Sequence, residues 1–123
     1  MNTLLLVEDF HRKFSCAVNE KITVDNPALS LFRLSLIQEE VGELARALEM
    51  KDAEKVLDAL TDLQYVLDGA YLSFGLANVK NDAFLEVHRT NMQKECNEPG
   101  VMVTHKIQKP FGWTPPNLKQ FVK

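Results

Sequence analysis

The chain has 123 residues, 46% of them hydrophobic and 25% charged, which is typical of one soluble globular domain with a core of its own. A formal net charge of −3 offers no general attraction to nucleic acid or to an anionic membrane. The apolar start, residues 1–6, is too short for a signal peptide or a membrane span. Two cysteines are too few for a disulfide framework, so we expect a cytoplasmic protein in which Cys16 and Cys96 are reduced.

The first predicted helix runs from residue 3 to about residue 19. Apolar side chains at helical spacing form a stripe that we expect to be buried, made of Val7, Phe10, Phe14 and Ala17/Val18. Glu8 and His11 have the E-x-x-H spacing of di-iron carboxylate bundles, but those bundles use two such pairs. Neither His88 nor His105 follows a glutamate by three residues, so we interpret His11 as a half-buried imidazole on the helix face.

A linker over residues 20–26 leads to a second, longer helix. Asn26 suits the N-cap and Pro27 suits the first helical position, so the helix is predicted to begin there and to run to about Glu49. Apolar residues at alternating steps of three and four predict the seam that packs on a neighbouring helix, namely Leu34, Ile37, Val41, Leu44 and Leu48.

A short turn at Met50–Lys51 is predicted to fold a third helix back, antiparallel to the second. Asp52 is its predicted N-cap, and Gly75 is well placed to end it. The same alternation predicts a packing seam made of Val56, Leu60, Leu63, Leu67, Ala70 and Phe74. We expect the solvated face of this helix to carry Thr61, Gln64 and Asp68.

The fourth predicted helix begins at an Asn78 cap and continues to about Lys94. Beyond Asn97 the prolines forbid a long helix, and short extended pieces are expected at residues 101–103 and 106–107. This tail holds Trp113, and we interpret it as an arm that packs on the bundle or on another subunit, with closure over a ligand as the alternative.

The predicted architecture is therefore all-α and resembles a four-helix bundle. Residues 1–123 are expected to form a single domain, with a helical core at about 3–96 and an irregular, partly extended C-terminal arm at about 97–123.

Acidic residues on the second and third helices are the main candidates for chemistry: Glu39, Glu40, Glu43, Asp58 and Asp62. The three glutamates on the second helix lie within about one helical turn of one another, and the two aspartates on the third helix lie one turn apart. An antiparallel hairpin lets these two sets face each other. Acids at such spacing are ordinary on solvated faces, but the arc that carries the two aspartates also holds small or apolar residues, namely Ala59, Val66, Gly69 and Ser73. We therefore favour a divalent-metal site over a solvated acidic face.

Carboxylate ligands select hard cations, so the expected ion is Mg²⁺, with Mn²⁺ as an alternative. Magnesium usually binds through a few carboxylates together with substrate phosphates, which favours phosphoanhydride chemistry. The motif GxxxxGK[ST] is absent, which excludes a P-loop enzyme. Basic residues that cluster late in the chain would suit an anionic small molecule, and these are Arg89, Lys94, Lys106, Lys109, Lys119 and Lys123.

Five segments of the chain match a known family when they are taken in order: VEDFHRKF, EEVGELARAL, DALTDLQYVLDGAYLSFG, EVHRTNMQK and KPFGWTPPNL. They resemble the all-α nucleoside triphosphate pyrophosphohydrolases, which include the MazG-like enzymes, phosphoribosyl-ATP pyrophosphohydrolase and the dimeric dUTPases. The closest resemblance is to the phosphoribosyl-ATP pyrophosphohydrolase-like branch. The resemblance implies Mg²⁺-dependent hydrolysis of a nucleoside triphosphate, or a related nucleotide, to the monophosphate and pyrophosphate, by a homodimer or homotetramer.

By position, the resemblance implies that Glu40, Glu43 and Asp62 are metal ligands and that Glu39 orients the nucleophilic water. Many family members carry a fourth ligand three residues before the aspartate, where this chain has Ala59. Asp58 lies four residues before it, one turn away on the same face, and we count it as the fourth ligand.

The resemblance also implies nucleotide contacts for Asn91 and Lys94, of which Lys94 would suit a phosphate. Tyr65 and Trp113 are further candidates for contacts with the base or the ribose. Two other functions stay open: a non-catalytic helical bundle that binds nucleotide or a protein partner without turnover, and a di-iron oxidase, which the single E-x-x-H disfavours. The preferred base stays open, and the expected role is nucleotide-pool housekeeping.

Overall fold

The computed structural model describes residues 1–95 and 107–123. Its described residues form four α-helices, which are α1 (Thr3–Lys13), α2 (Pro27–Glu49), α3 (Ala53–Ser73) and α4 (Lys80–Asn91). Two short 3₁₀ turns, Ala77–Val79 and Lys119–Phe121, and one antiparallel bridge between Glu95 and Gln108 accompany them. The predicted all-α class is confirmed. The predictions for Cys96, His105, residues 101–103 and residue 106 lie outside the described residues.

The first helix is shorter than predicted, since α1 ends at Lys13 instead of near residue 19. Ser15 adopts a left-handed φ of 56°, and the N–H of Cys16 turns back to donate to the carbonyl of His11 at 2.8 Å. This pattern terminates a helix as a glycine would. Because the left-handed residue is a serine, the sequence carried no stop signal, and residues 17–18 lie beyond the helix.

The predicted boundaries of α2 and α3 are confirmed. The side chains of Asn26 and Asp52 each accept the backbone N–H three residues further on, at 3.2 Å. Such caps satisfy donors that the first helical turn leaves free. Lys51 lies in the turn between the helices with φ of 57°, and Gly75 follows α3 with φ of 73°.

The predicted start of α4 is wrong. Asn78 lies inside the 3₁₀ turn Ala77–Val79, so its side chain is not at the cap position, and the helix begins at Lys80 without a side-chain cap. The helix also ends at Asn91, three residues before the predicted Lys94.

The chain divides into two compact units, here called unit 1 (Met1–Asn78) and unit 2 (Val79–Lys123). Within unit 1, α3 packs against both α1 and α2. Unit 2 contains α4 and the described part of the C-terminal segment. The single domain over residues 1–123 stays a prediction.

The packing seams predicted from leucine and valine spacing are wrong in part. Leu34, Val41 and Leu48 of α2 are exposed in the chain, as are Leu60 and Leu67 of α3. The buried positions of the two helices carry small or polar side chains instead, namely Arg33, Ala47, Ala59, Asp68, Gly69, Ala70 and Ser73, together with Leu72. Small side chains let helices approach closely, which leaves the bulky residues on the flanks.

Two predictions of burial on α1 and α3 are also wrong. Asp68, expected on a solvated face, is fully buried and accepts the hydroxyl of Thr3 at 2.8 Å, because α1 covers that side of α3. On α1, His11 is buried and Phe10 is exposed, and Phe14, the residue after the helix, is also exposed.

In residues 1–95 and 107–123, no helix is both long enough and apolar enough to cross a bilayer. Cys16 is a half-buried free thiol, as predicted.

Candidate functional site

The five acids predicted to act together all lie on the two helices of unit 1 that pack against each other. Glu39, Glu40 and Glu43 belong to α2, and Asp58 and Asp62 belong to α3. The helix pair is closely packed at this level, because Ala47 of α2 is 3% exposed and Ala59 of α3 is 2% exposed. Glu40 and Asp62 are half-buried, whereas the other three acids are exposed.

Glu40 is the centre of this acid cluster. Its Oε2 atom is buried and has no hydrogen-bond partner in the structure. Burial raises the pKa of Glu40, and the charges of Asp62, Glu43, Glu39 and Asp58 raise it further, in that order. A carboxylate on α2 therefore faces negative charge from its own helix and from α3.

Asp62 has the corresponding environment on α3. Burial raises its pKa first, followed by repulsion from Asp58 and Glu43. The two half-buried acids are thus destabilised in their charged form by the same neighbours. A buried oxygen without a partner among four like charges suits a divalent cation, because a cation would supply the missing contact and offset the repulsion.

The backbone gathers these acids, but their side chains do not form a finished ligand set. Within the described ranges, no three His, Cys, Asp or Glu side chains are grouped closely enough to hold a metal ion as they stand. Three of the five acids are exposed side chains on helical backbone. A metal bound by these acids would require their side chains to change conformation.

Two of the predicted nucleotide contacts lie together in unit 2. The Lys94 ammonium is 5.2 Å from the centroid of the Trp113 ring, within the range of a cation–π contact. The indole Nε1–H of Trp113 donates to the carbonyl of Thr90 at 2.7 Å, which fixes the ring against the end of α4. Asn91 is the last residue of that helix and is exposed.

Lys109 joins this group, although the sequence analysis gave it no separate role. Its ammonium lies 5.1 Å from the same Trp113 centroid, so two cations share one aromatic ring. The only signal in the sequence was a lysine four residues before the tryptophan in a segment of low helical propensity.

Tyr65 lies in a different place from the acids. Its ring packs edge-on against Phe10 of α1, with centroids 5.5 Å apart, and it lines a cavity of about 420 Å³ between α1 and α3. None of the five acids lines that cavity, whose polar side chains include Gln64 and Asp68.

A buried polar contact between the three helices of unit 1 was missed by sequence reasoning. His11 Nδ1 is 3.0 Å from the carbonyl of Ala17, and Arg33 Nη1 is 3.4 Å from His11 Nε2 and 3.5 Å from Ser73 Oγ. These distances fit a neutral imidazole whose Nδ1–H donates to the Ala17 carbonyl and whose Nε2 accepts from the Arg33 guanidinium. Burial lowers the pKa of His11 and of Arg33.

Gly69 provides the space for this contact. A Cβ atom at that position would lie 2.9 Å from Arg33 Nη2 and 2.9 Å from His11 Nε2. The glycine on α3 was the sequence signal for a close neighbour, but it did not reveal that the neighbour is an arginine from α2. The contact joins α1, α2 and α3 and so holds the acid-bearing helix pair in place.

Comparison with known proteins places this arrangement in a family. The family model for phosphoribosyl-ATP pyrophosphohydrolase matches residues 7–91, more than half of the chain, and this span includes all five acids. An uncharacterized protein of Acanthamoeba polyphaga mimivirus is 39% identical over 74 residues, which is 57% of this chain and 30% of that protein. The chain thus spans less than a third of the length of that curated relative.

Lys94, Lys109 and Trp113 lie beyond the matched span, whereas the helix pair with its acid cluster lies inside it. The match covers α1 from Val7 onward, α2 and α3 with both acid sets, and α4. The chain therefore belongs to the phosphoribosyl-ATP pyrophosphohydrolase family, within the MazG-like all-α nucleoside triphosphate pyrophosphohydrolases.

Proposed function

We propose that this protein hydrolyses a nucleoside triphosphate, or a related nucleotide, to the monophosphate and pyrophosphate, in a reaction that requires Mg²⁺. The observation that carries the proposal is the buried, unpartnered Oε2 of Glu40, which faces the charges of four further acids on α2 and α3. Family membership supports a pyrophosphohydrolase that acts on nucleotides. The proposed setting is nucleotide-pool housekeeping in the cytoplasm.

Glu40, Glu43, Asp58 and Asp62 are the residues that would hold the metal. They come from both helices, and burial followed by repulsion from neighbouring acids raises the pKa of the two half-buried members, Glu40 and Asp62. A bound Mg²⁺ would neutralise phosphate charge and lower the pKa of the attacking water.

Glu39 is the acid that we assign to the water. It is exposed to solvent, and it lies next to Glu40 in the chain, close enough for its charge to raise the pKa of Glu40. Its carboxylate accepts the proton of the water as the water oxygen bonds to the α-phosphorus. The bond from that phosphorus to the bridging oxygen breaks, and pyrophosphate leaves with the electron pair.

The nucleotide contacts assigned to Asn91, Lys94, Trp113 and Tyr65 rest on the family resemblance. For Lys94, a phosphate would compete with the Trp113 ring, since the ammonium already lies over that ring. For Tyr65, the supporting observation is that the ring lines a cavity large enough for part of a nucleoside.

Self-association is part of the same proposal, and the partner is a second copy of this chain. Unit 1 leaves large aliphatic side chains in water, with Leu31 70% exposed and Leu57 67% exposed. Burial of such residues is a main driving force of association. We expect a homodimer or homotetramer in light scattering coupled to gel filtration, and a monomer at all concentrations would contradict this part.

The test of function is pyrophosphate release from a panel of canonical and modified nucleoside triphosphates, with Mg²⁺ and with Mn²⁺. We expect release from at least one substrate, and loss of release in Glu40→Ala and in Glu43→Ala while circular dichroism shows an intact helical fold. Glu20→Ala, in the linker before α2, is the matched control and should keep full activity. No release from any substrate would refute the proposal, and nucleotide binding without turnover would identify a non-catalytic nucleotide-binding protein instead.

A further inference from the structure

A cavity of about 400 Å³ lies between α2 and α3, on the side of the acid cluster nearest the turn that joins the two helices. Two of the proposed metal ligands, Glu43 and Asp58, line it. This cavity has no local signal in the sequence, since it is formed only when the two helices are paired.

Two cations also line this cavity, one from each helix. Arg46 follows Glu43 by three residues on α2, and Lys55 precedes Asp58 by three residues on α3. Because the helices run in opposite directions from a short turn, the backbone of both residues lies one helical turn nearer to that turn than the backbone of the acids does. The cavity is therefore lined by carboxylates and by cations from both helices.

Neither cation is neutralised by the acids beside it. In the part of the chain that the structure describes, ion pairs within 4 Å include Arg12 with Glu8 and Arg89 with Glu86, and none involves Arg46 or Lys55. The Arg46 side chain instead folds back along α2, so that a Cβ at Gly42 would lie 3.6 Å from its Nη1 atom. An arginine and a lysine that line one cavity and have no carboxylate partner within 4 Å are suited to the oxygens of a polyphosphate, which each can reach by a change of side-chain conformation.

We infer that this cavity binds the two phosphates that leave as pyrophosphate, and that Arg46 and Lys55 contact their oxygens. The inference rests on the proposed function, since it assumes that the phosphate to be attacked lies at the acid cluster. The distal phosphates then extend into the cavity, which Arg46 lines from α2 and Lys55 lines from α3. Met50 and two alanines form the apolar wall of the cavity, which excludes water from part of its surface and strengthens charge interactions there.

This arrangement predicts a preference for triphosphates over diphosphates. A nucleoside diphosphate attacked at the same phosphorus would place only one phosphate in the cavity and could not use both cations. Since the sequence has no glycine-rich phosphate loop, the metal and side chains have to supply these contacts. A leaving group with two phosphates therefore fits the cavity better than orthophosphate does.

The direct test is calorimetric titration of inorganic pyrophosphate, in the presence of Mg²⁺, into the wild-type protein and into Arg46→Gln, Lys55→Gln and the double variant. We expect each single substitution to weaken pyrophosphate binding about 10-fold and the double substitution to weaken it about 100-fold. Lys51→Gln removes one positive charge in the same turn from a residue that does not line the cavity, and it should change binding less than about 2-fold. Glutamine keeps the helix propensity of lysine and arginine, and melting curves would check the fold.

Steady-state kinetics supply a second measurement. The double variant should raise KM for the triphosphate by at least about 10-fold with kcat nearly unchanged, and it should reduce the preference for triphosphate over diphosphate. If Arg46 and Lys55 only stabilised the fold, their substitution would not change the preference for triphosphate over diphosphate.

The two proposals fail in different ways. If the wild-type protein releases no pyrophosphate from any nucleotide, the proposed function is refuted, and the titration still measures whether the two cations bind pyrophosphate. If hydrolysis is intact and the double variant binds pyrophosphate as tightly as the wild type, the cavity has been assigned wrongly. Absence of pyrophosphate binding to the wild type with Mg²⁺ would also overturn the inference.

Discussion

Substitution of Glu40 by glutamine is expected to change the stability of this protein in opposite directions with and without Mg²⁺. In the metal-free protein, Glu40 places a half-buried negative charge near four other acids. Glutamine has nearly the same shape and carries no charge, so the substitution removes that repulsion. With Mg²⁺ present, the same substitution removes a proposed ligand.

The magnitude follows from the exposure of the neighbours. Three of the four acids that act on Glu40 are exposed, so water screens each repulsion to between about 0.2 and 1 kcal/mol. Allowing for incomplete additivity, the metal-free variant should gain about 1–2 kcal/mol in free energy of unfolding, or roughly 4–8 °C in melting temperature. In the wild type, Mg²⁺ at about 100 times its dissociation constant should add about 2.7 kcal/mol, and the variant should lose most of that gain.

The assay is thermal unfolding at neutral pH, first with a chelator and then with excess Mg²⁺. The variant should melt above the wild type in the first condition and below it in the second. Glu20→Gln removes one acid from the linker before α2 and should leave both temperatures nearly unchanged. Either of two results would refute the account of the acid cluster: a lower melting temperature for Glu40→Gln than for the wild type without metal, or a rise in melting temperature on adding Mg²⁺ that is as large in the variant as in the wild type.

Three further outcomes are expected. Burial lowers the pKa of the His11 imidazole below 6.5, so the unfolded chain protonates this histidine at a higher pH than the folded protein does. The free energy of unfolding should therefore fall as the pH drops below 6.5, by up to about 1.4 kcal/mol per pH unit. Urea unfolding across this pH range measures the fall, and His11→Asn should flatten the profile. Gly75→Ala should lower the free energy of unfolding by about 3 kcal/mol or more, because the added Cβ would clash with the backbone carbonyl of Lys21. Gly112→Ala, also at positive φ but with no atom within 4 Å of the added Cβ, should lower it by about 1–2 kcal/mol. Equal losses in urea unfolding would contradict this reasoning. Glu39→Gln should lower kcat by about 10²–10⁴-fold in pyrophosphate release and keep the stabilisation by Mg²⁺; an unchanged kcat would exclude Glu39 as the base.

Local signals in the sequence predicted the framework of unit 1 well. The caps at Asn26 and Asp52 and the stop at Gly75 depend on neighbours within a few residues, so the sequence alone could reveal them. The placement of the two acid sets on paired helices was also predictable, since it required only helical periodicity and a short turn; their role as a metal site stays a prediction. Where a local rule was broken, as by the left-handed Ser15, the predicted helix end was wrong.

Long-range packing was harder to predict because each part of it involves residues far apart in the chain. Asp68 is buried by Thr3, 65 residues earlier, and nothing near Asp68 distinguishes it from a solvated helix residue. Arg33 was overlooked for a similar reason, since its partners His11 and Ser73 belong to two other helices. Periodicity favoured leucine seams, whereas the helices meet through their smallest side chains.

The small side chains between α2 and α3 would affect which ion the proposed metal site selects. Ala47 and Ala59 lie at the level of the acid cluster, and the distance between packed helices depends on the side chains at their contact. A pair of methyl groups thus sets how far apart the opposing carboxylates stand. Enlarging either alanine to valine would widen that gap and favour the longer oxygen contacts of Ca²⁺, about 2.3–2.6 Å, over the ~2.1 Å that Mg²⁺ demands. Selectivity between ions of equal charge would then reside in two apolar residues that never touch the ion, and it could be retuned with every carboxylate left in place.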